Sequence, residues 1–120
     1  MTKILSITVV FFVYSTFATV LDITQVERKK IEFLKAELIA SQCKFERNGI
    51  SYTPEKTIKH INKKHHHFKK DIDTATKFIE LAASKSTMSG QPYFMLCKGV
   101  DRIESSVWLN NKLGEFHDIK

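Results

Sequence analysis

Neither glycine nor proline occurs between Glu55 and Ser84, and in that stretch Ile58, Ile61, His65, Phe68, Ile72, Ala75, Ile79 and Ala82 recur at alternating spacings of three and four. Those intervals put the whole series on one helical face, so the pattern reads as continuous helix. A straight helix of 30 residues runs about 45 Å, which is long for one small domain. A bend or break is therefore predicted near Asp71 to Thr74, with Asp73 placed to cap the second piece.

The segments on either side are shorter and differ in kind. Thr24 followed by Glu27 forms a T-x-x-E capping box, and Ile31, Leu34 and Leu38 then recur at helical spacing opposite Lys30, Lys35 and Glu37; this predicts an amphipathic helix from Thr24 to about Ser41. Phe45 to Arg47 and Ile50 to Tyr52 flank Asn48-Gly49, a dipeptide that tolerates the positive φ of a type I′ turn and so predicts a β-hairpin. Thr53-Pro54 fits the N-cap and first position of the long helix. Lys85 to Pro92 has the composition of a loop, and Tyr93 to Cys97 that of a third strand. Ser105 is placed to cap a short last helix that turns Trp108, Leu109 and Leu113 inward. Without repeats, low-complexity tracts or a Pro/Gly-rich linker, the expected fold is α+β, a small single domain of helices packed on a small sheet.

The N-terminus has a separate character. Lys3 is the lone charge ahead of an apolar run from Ile4 to Phe17, and the small residues Thr16 and Ala18 suit a cleavage site after Ala18. Residues 1–18 are therefore expected to be a signal peptide and 19–120 the mature domain. The run ends at Asp22, too short for a spanning helix of about 20 residues, so no stable membrane anchor is expected after cleavage. Removing residues 1–18 leaves 102 residues and a net charge of 18 − 13 = +5 with histidine neutral. That mild excess suits attraction to an anionic partner but lacks the concentrated basic surface of a nucleic-acid binder, and no nucleic acid is expected. The two cysteines, Cys43 and Cys97, would reach an oxidising compartment after export, where a disulfide is the expected pairing.

No motif announces a chemistry. His65, His66 and His67 are adjacent, and helical neighbours diverge by about 100°, so the run cannot present three ligands to one ion. His60 has Lys64 four residues on, while its next aligned histidine, His67, lies about 10.5 Å further along the axis. No metal and no other cofactor is expected. The basic run Lys63 to Lys70 with Lys56 and Lys59 reads either as solvated surface or as an anion-binding face. The hydroxyl-rich loop from Ser84 to Gly90 includes one lysine, Lys85, but lacks the ordered motifs of serine hydrolases, and its hydroxyls can equally cap a helix or hold a polar ligand.

Several separated motifs are shared with one family: Phe45-x-Arg47-Asn48-Gly49-x-x-Tyr52, His60-Ile61 with Lys64, Ile72-x-Thr74-Ala75-x-x-Phe78-Ile79, and Ala83-Ser84-x-Ser86-x-x-Ser89-Gly90-x-Pro92-Tyr93. Over about residues 24 to 98 the chain resembles the YfeK-like family of small exported bacterial proteins, a domain of unknown function, although Thr76 stands where that family has an acidic residue. The resemblance implies a periplasmic protein and brings no activity. It points to Arg47, Asn48, Tyr52, His60, Lys64, Ser84, Ser86, Ser89 and Tyr93 as candidate binding residues. The expectation is a non-enzymatic binding or interaction module of the bacterial envelope, engaging an envelope glycan, an anionic ligand or another protein. The competing readings are a small hydrolase using the loop 84–90 and a structural envelope component.

Overall fold

In the computed structural model, residues 8–10 and 23–118 are described; apart from 8–10, the predicted leader lies outside them. Thr24 opens helix α1 (Gln25–Ser41) by accepting the Glu27 N–H at 3.4 Å. The second half of the expected capping box is replaced by an ion pair, since Glu27 Oε2 faces Lys30 Nζ at 3.3 Å. Ile31, Leu34 and Leu38, the apolar stripe, are the buried residues of this helix. It ends where Gln42 turns left-handed at φ 56°.

The hairpin forms as its turn requires. Strand β1 (Lys44–Arg47) pairs antiparallel with β2 (Ile50–Tyr52), with Asn48 at φ 49° and Gly49 at φ 80° between them, the pair of positive values a type I′ turn demands. β1 pairs on its other edge with β3 (Phe94–Leu96), shorter than the predicted Tyr93 to Cys97. β4 (Ile103–Glu104), not anticipated, completes an antiparallel sheet in the order β2-β1-β3-β4. Alternation along β1 and β3 buries Phe45 and Met95 in the same cluster as Leu34, Ile61, Phe78 and Leu109 of the helices. A disulfide joins Cys43 to Cys97, Cα atoms 4.5 Å apart, one register step beyond Lys44↔Leu96.

The long helical pattern is interrupted, earlier than expected. α2 (Pro54–His67), capped by Thr53, stops before Phe68, and α3 (Ala75–Phe78) starts after Thr74. Thr74, not Asp73, is the cap: its backbone is extended at φ −136°, and its hydroxyl accepts the Lys77 N–H at 3.1 Å. The intervening turn, which carries Lys69, Lys70 and Asp71 outward, lets Ile72 and Ala75 both stay buried. α3 runs directly into a π-helical turn, Ile79–Ala83, instead of continuing as α-helix.

Helix α4 (Ser105–Gly114) corrects a second capping expectation. Glu104 holds the N-cap position without a side-chain bond, and Ser105 is the first helical residue. Its fully buried hydroxyl donates to the Ala83 carbonyl at 2.6 Å. The end of a helical turn leaves carbonyls without intrahelical donors, and this one finds its donor in the neighbouring element. Leu109 is buried as expected, while Trp108 and Leu113 pack partly exposed against the cluster. Among the described residues no helix is long and apolar enough to cross a membrane.

Candidate functional site

Arg47 is the last residue of β1, and Tyr93 lies just before β3, one step past the Glu46↔Phe94 pair of the ladder. The ladder thus delivers both side chains to one end of the sheet. His60 and Lys64 stand one turn apart on α2, on the face directed there. The loop that follows the π-helical turn closes the opposite side. Its backbone is stitched by Ser86 N–H to Gln91 O and Gly90 N–H to Ser86 O, both 2.9 Å, and Tyr93 N–H returns to Ser84 O at 2.9 Å. Ser89 donates to Asn48 Oδ1 at 2.7 Å, tying this loop to the hairpin turn.

Four side chains meet in this setting. Arg47 Nη1 lies 2.9 and 3.0 Å from the two ring nitrogens of His60, His60 Nε2 is 3.1 Å from the Tyr93 hydroxyl, and Lys64 Nζ donates to that hydroxyl at 3.3 Å. Lys64 also donates to the Lys85 carbonyl at 2.6 Å. Arginine can only donate and a neutral imidazole has one acceptor nitrogen, so at most one of the two Arg47 contacts is a hydrogen bond and the other ring nitrogen carries the proton. The Arg47 guanidinium rests 4.1 Å above the Tyr52 ring, a cation–π platform.

The electrostatics of the cluster run one way. Burial, then the charges of Arg47, Lys64 and Lys63, lower the His60 pKa to about 4. Burial, then Arg47 and Lys85, lower that of Lys64 to about 8. Burial pushes the Tyr93 phenol up, against the opposing pull of Arg47. Among the described residues neither Arg47 nor Lys64 faces a carboxylate, as Lys29, Lys30, Lys35, Lys77, Arg102 and Lys112 do; what sets them apart from the other cations without a carboxylate is their shared burial beside His60 and Tyr93. Arg47 Nε is buried without an acceptor among the described residues.

Arg47, Asn48, His60, Lys64, Ser86, Ser89 and Tyr93 line one cavity of about 320 Å³, and no acidic residue lines it. Tyr52 stands outside, as the platform under Arg47. Ser84 is not brought to the cavity: its hydroxyl donates to the Glu80 carbonyl at 2.6 Å and so closes the helical turn. Thr87 and Met88 also line the cavity. Sequence reasoning does not single out Thr87 within the hydroxyl-rich loop, and it misses Met88 because an apolar side chain carries no signal of a polar site; only their place in the loop puts them there. The basic run beyond Lys64 faces elsewhere: His66, His67, Lys69 and Lys70 are exposed, and His65 packs edge-on to Phe78 at 5.1 Å with Nδ1 3.2 Å from Lys35 Nζ.

The family of unknown function DUF5329 matches residues 25–117, from the start of α1 past the end of α4. The chain belongs to this family. The DUF5329 match takes in every cavity-lining residue and carries the likeness beyond Lys98, through β4 and α4. A relative in Salmonella typhimurium, the uncharacterized protein YfeK, is 39% identical over 49 residues, covering 41% of this chain and 41% of that protein, which agrees with the resemblance seen in the motifs. No solved structure matches the chain. As a DUF5329 domain it therefore brings no activity from its relatives, and its chemistry has to be argued from the cavity itself.

Proposed function

We propose that this chain is an exported, non-enzymatic binding module of the bacterial envelope that captures an anionic ligand between Arg47, His60, Lys64 and Tyr93. One observation carries the reading: two cations face a shared cavity, none of whose lining residues is acidic. Facing like charges destabilise an empty site, and an anion between them reverses the sign of that interaction. Export is supported by the leader pattern of residues 1–18, and the Cys43–Cys97 bond is compatible with an oxidising compartment. The three serine hydroxyls of the loop each already hold a hydrogen bond to the protein. Ser84 donates to Glu80, Ser86 accepts the Ser89 N–H at 3.2 Å, and Ser89 donates to Asn48. None of them is paired with His60 or Lys64 as a nucleophile is with its base, so binding is favoured over hydrolysis.

The test has two arms. Mass spectrometry of protein recovered from the periplasmic fraction should find residues 1–18 removed and both thiols oxidised. Calorimetric titration with a panel of small anions should give saturable, salt-sensitive binding that Lys64→Gln weakens about tenfold or more, the scale of a hydrogen bond to a charged group. Intact chains retained in the cytosol, or no anion binding at low salt, would refute the corresponding half.

A further inference from the structure

We infer that the ligand of this cavity is a phosphate monoester, recognised by its terminal phosphate group through Arg47, Lys64 and Tyr93. The inference rests on the anion-binding reading above and narrows it. Arg47, His60, Tyr93 and Lys64 form a chain of contacts with steps of 2.9 to 3.3 Å. A single polyatomic anion can therefore reach all of them. The donors arrive from different elements and directions: β1 supplies a planar guanidinium fork, α2 an ammonium, and the chain before β3 a phenol. A planar carboxylate offers two oxygens to such a set, whereas a terminal phosphate offers three strong acceptors.

Charge decides between tetrahedral anions. Arg47 and Lys64 are two cations with no carboxylate partner among the described residues. A phosphate monoester carries about −1.5 to −2 at pH 7 and balances both, while a sulfate ester carries a single charge and leaves one cation unanswered. The cavity, about 320 Å³, falls at the small end of ligand sites, which span roughly 300 to 1,000 Å³, and it exceeds what a lone phosphate would fill. Asn48, Ser86 and Thr87 on its wall offer hydrogen bonds to a polar body of the kind a small sugar or a lipid headgroup provides.

Isothermal titration of the purified, disulfide-bonded protein at low salt and pH 7 tests this with glucose 6-phosphate, glucose 6-sulfate, glucuronate and inorganic phosphate. Phosphatidylcholine vesicles with and without phosphatidic acid form a parallel arm. The expected result is glucose 6-phosphate bound at least about tenfold more tightly than the sulfate or carboxylate, with Arg47→Gln and Lys64→Gln each removing about tenfold or more. Phosphatidic acid vesicles binding while glucose 6-phosphate does not would support the same phosphate chemistry from a lipid source. Equal or tighter binding of the sulfate or the carboxylate would overturn the phosphate assignment and leave the anion site standing. Silence of every probe toward a protein that melts cooperatively would overturn both.

Discussion

Reducing the Cys43–Cys97 bond perturbs this fold without altering any packed volume, which makes its cost calculable. The bond closes a loop of 97 − 43 + 1 = 55 residues. In the chain-entropy treatment that loop removes about 14 cal/mol/K from the unfolded ensemble, or about 4 kcal/mol at 25 °C. A domain of this size has a total stability of about 5–15 kcal/mol, so the reduced form stays folded but loses a large share. Each kcal/mol moves the melting temperature by about 4–8 °C at this length, which gives a fall of roughly 20 °C. Paired circular-dichroism melts, oxidised and in a phosphine reductant, read the difference, and urea titrations supply the free energy. The native state restricts the effect to the unfolded chain, because the β1–β3 ladder already holds residues 43 and 97 in adjacent register without the bond. Melting temperatures within about 5 °C of each other would refute the calculation and show that the unfolded chain is already compact around this pair.

Three further outcomes follow from the geometry. Because the folded His60 pKa is lowered to about 4 from 6.5, the unfolded chain takes the proton first, so stability is present above pH 6.5 and lost as pH falls toward 4. The half-exposed position screens the effect to roughly 1 kcal/mol, and urea midpoints of wild type and His60→Gln across that window should converge toward pH 4. Ser105→Ala strips the buried Ala83 carbonyl of its donor and should cost about 1–3 kcal/mol in chemical denaturation; a change below about 0.5 kcal/mol would mean that water replaces the hydroxyl. Thr74→Ala should lose about 1 kcal/mol and Asp73→Ala almost nothing, an ordering whose reversal would contradict the cap seen at Thr74.

What could be read from the sequence was what neighbours in the chain decide. The stripe Ile31, Leu34, Leu38 and the Asn48-Gly49 turn depend on helical period and on tolerance of positive φ, both local properties. The break in the long helix was placed only approximately, because Asp73 and Thr74 are both acceptable caps and only the docking of Ala75 and Phe78 in the core chooses between them. β4 has two residues, too few for alternation to register. The Ser105–Ala83 bond spans 22 residues and has no local signature. At the site, spacing alone puts His60 and Lys64 on one face of α2, while their meeting with Arg47 and Tyr93 is made by the β1–β3 ladder and could not be derived from any window of sequence. The π-helical turn was likewise invisible, although it sets where Ser84 leaves the helix and hence where the loop closes over the cavity.

The disulfide and the cavity stand at opposite ends of that same ladder. Cys43 and Cys97 cross-link it one step before Lys44↔Leu96, and Arg47 meets Tyr93 one step after Glu46↔Phe94. Nothing in folding alone calls for two cations at the second end. A structural network there would place a carboxylate against Arg47, as its neighbour on β1, Glu46, is placed against Arg102 at 3.0 Å. Instead the histidine is held neutral and the lysine pKa is lowered. Titratable groups perturbed together in a concave site mark a candidate functional site, and local arrangements that work against the fold are expected where a ligand compensates them. A bound anion would raise both pKa values toward their ordinary range and return the free energy that the empty site withholds. Ligand binding and stability would then be linked through these four side chains.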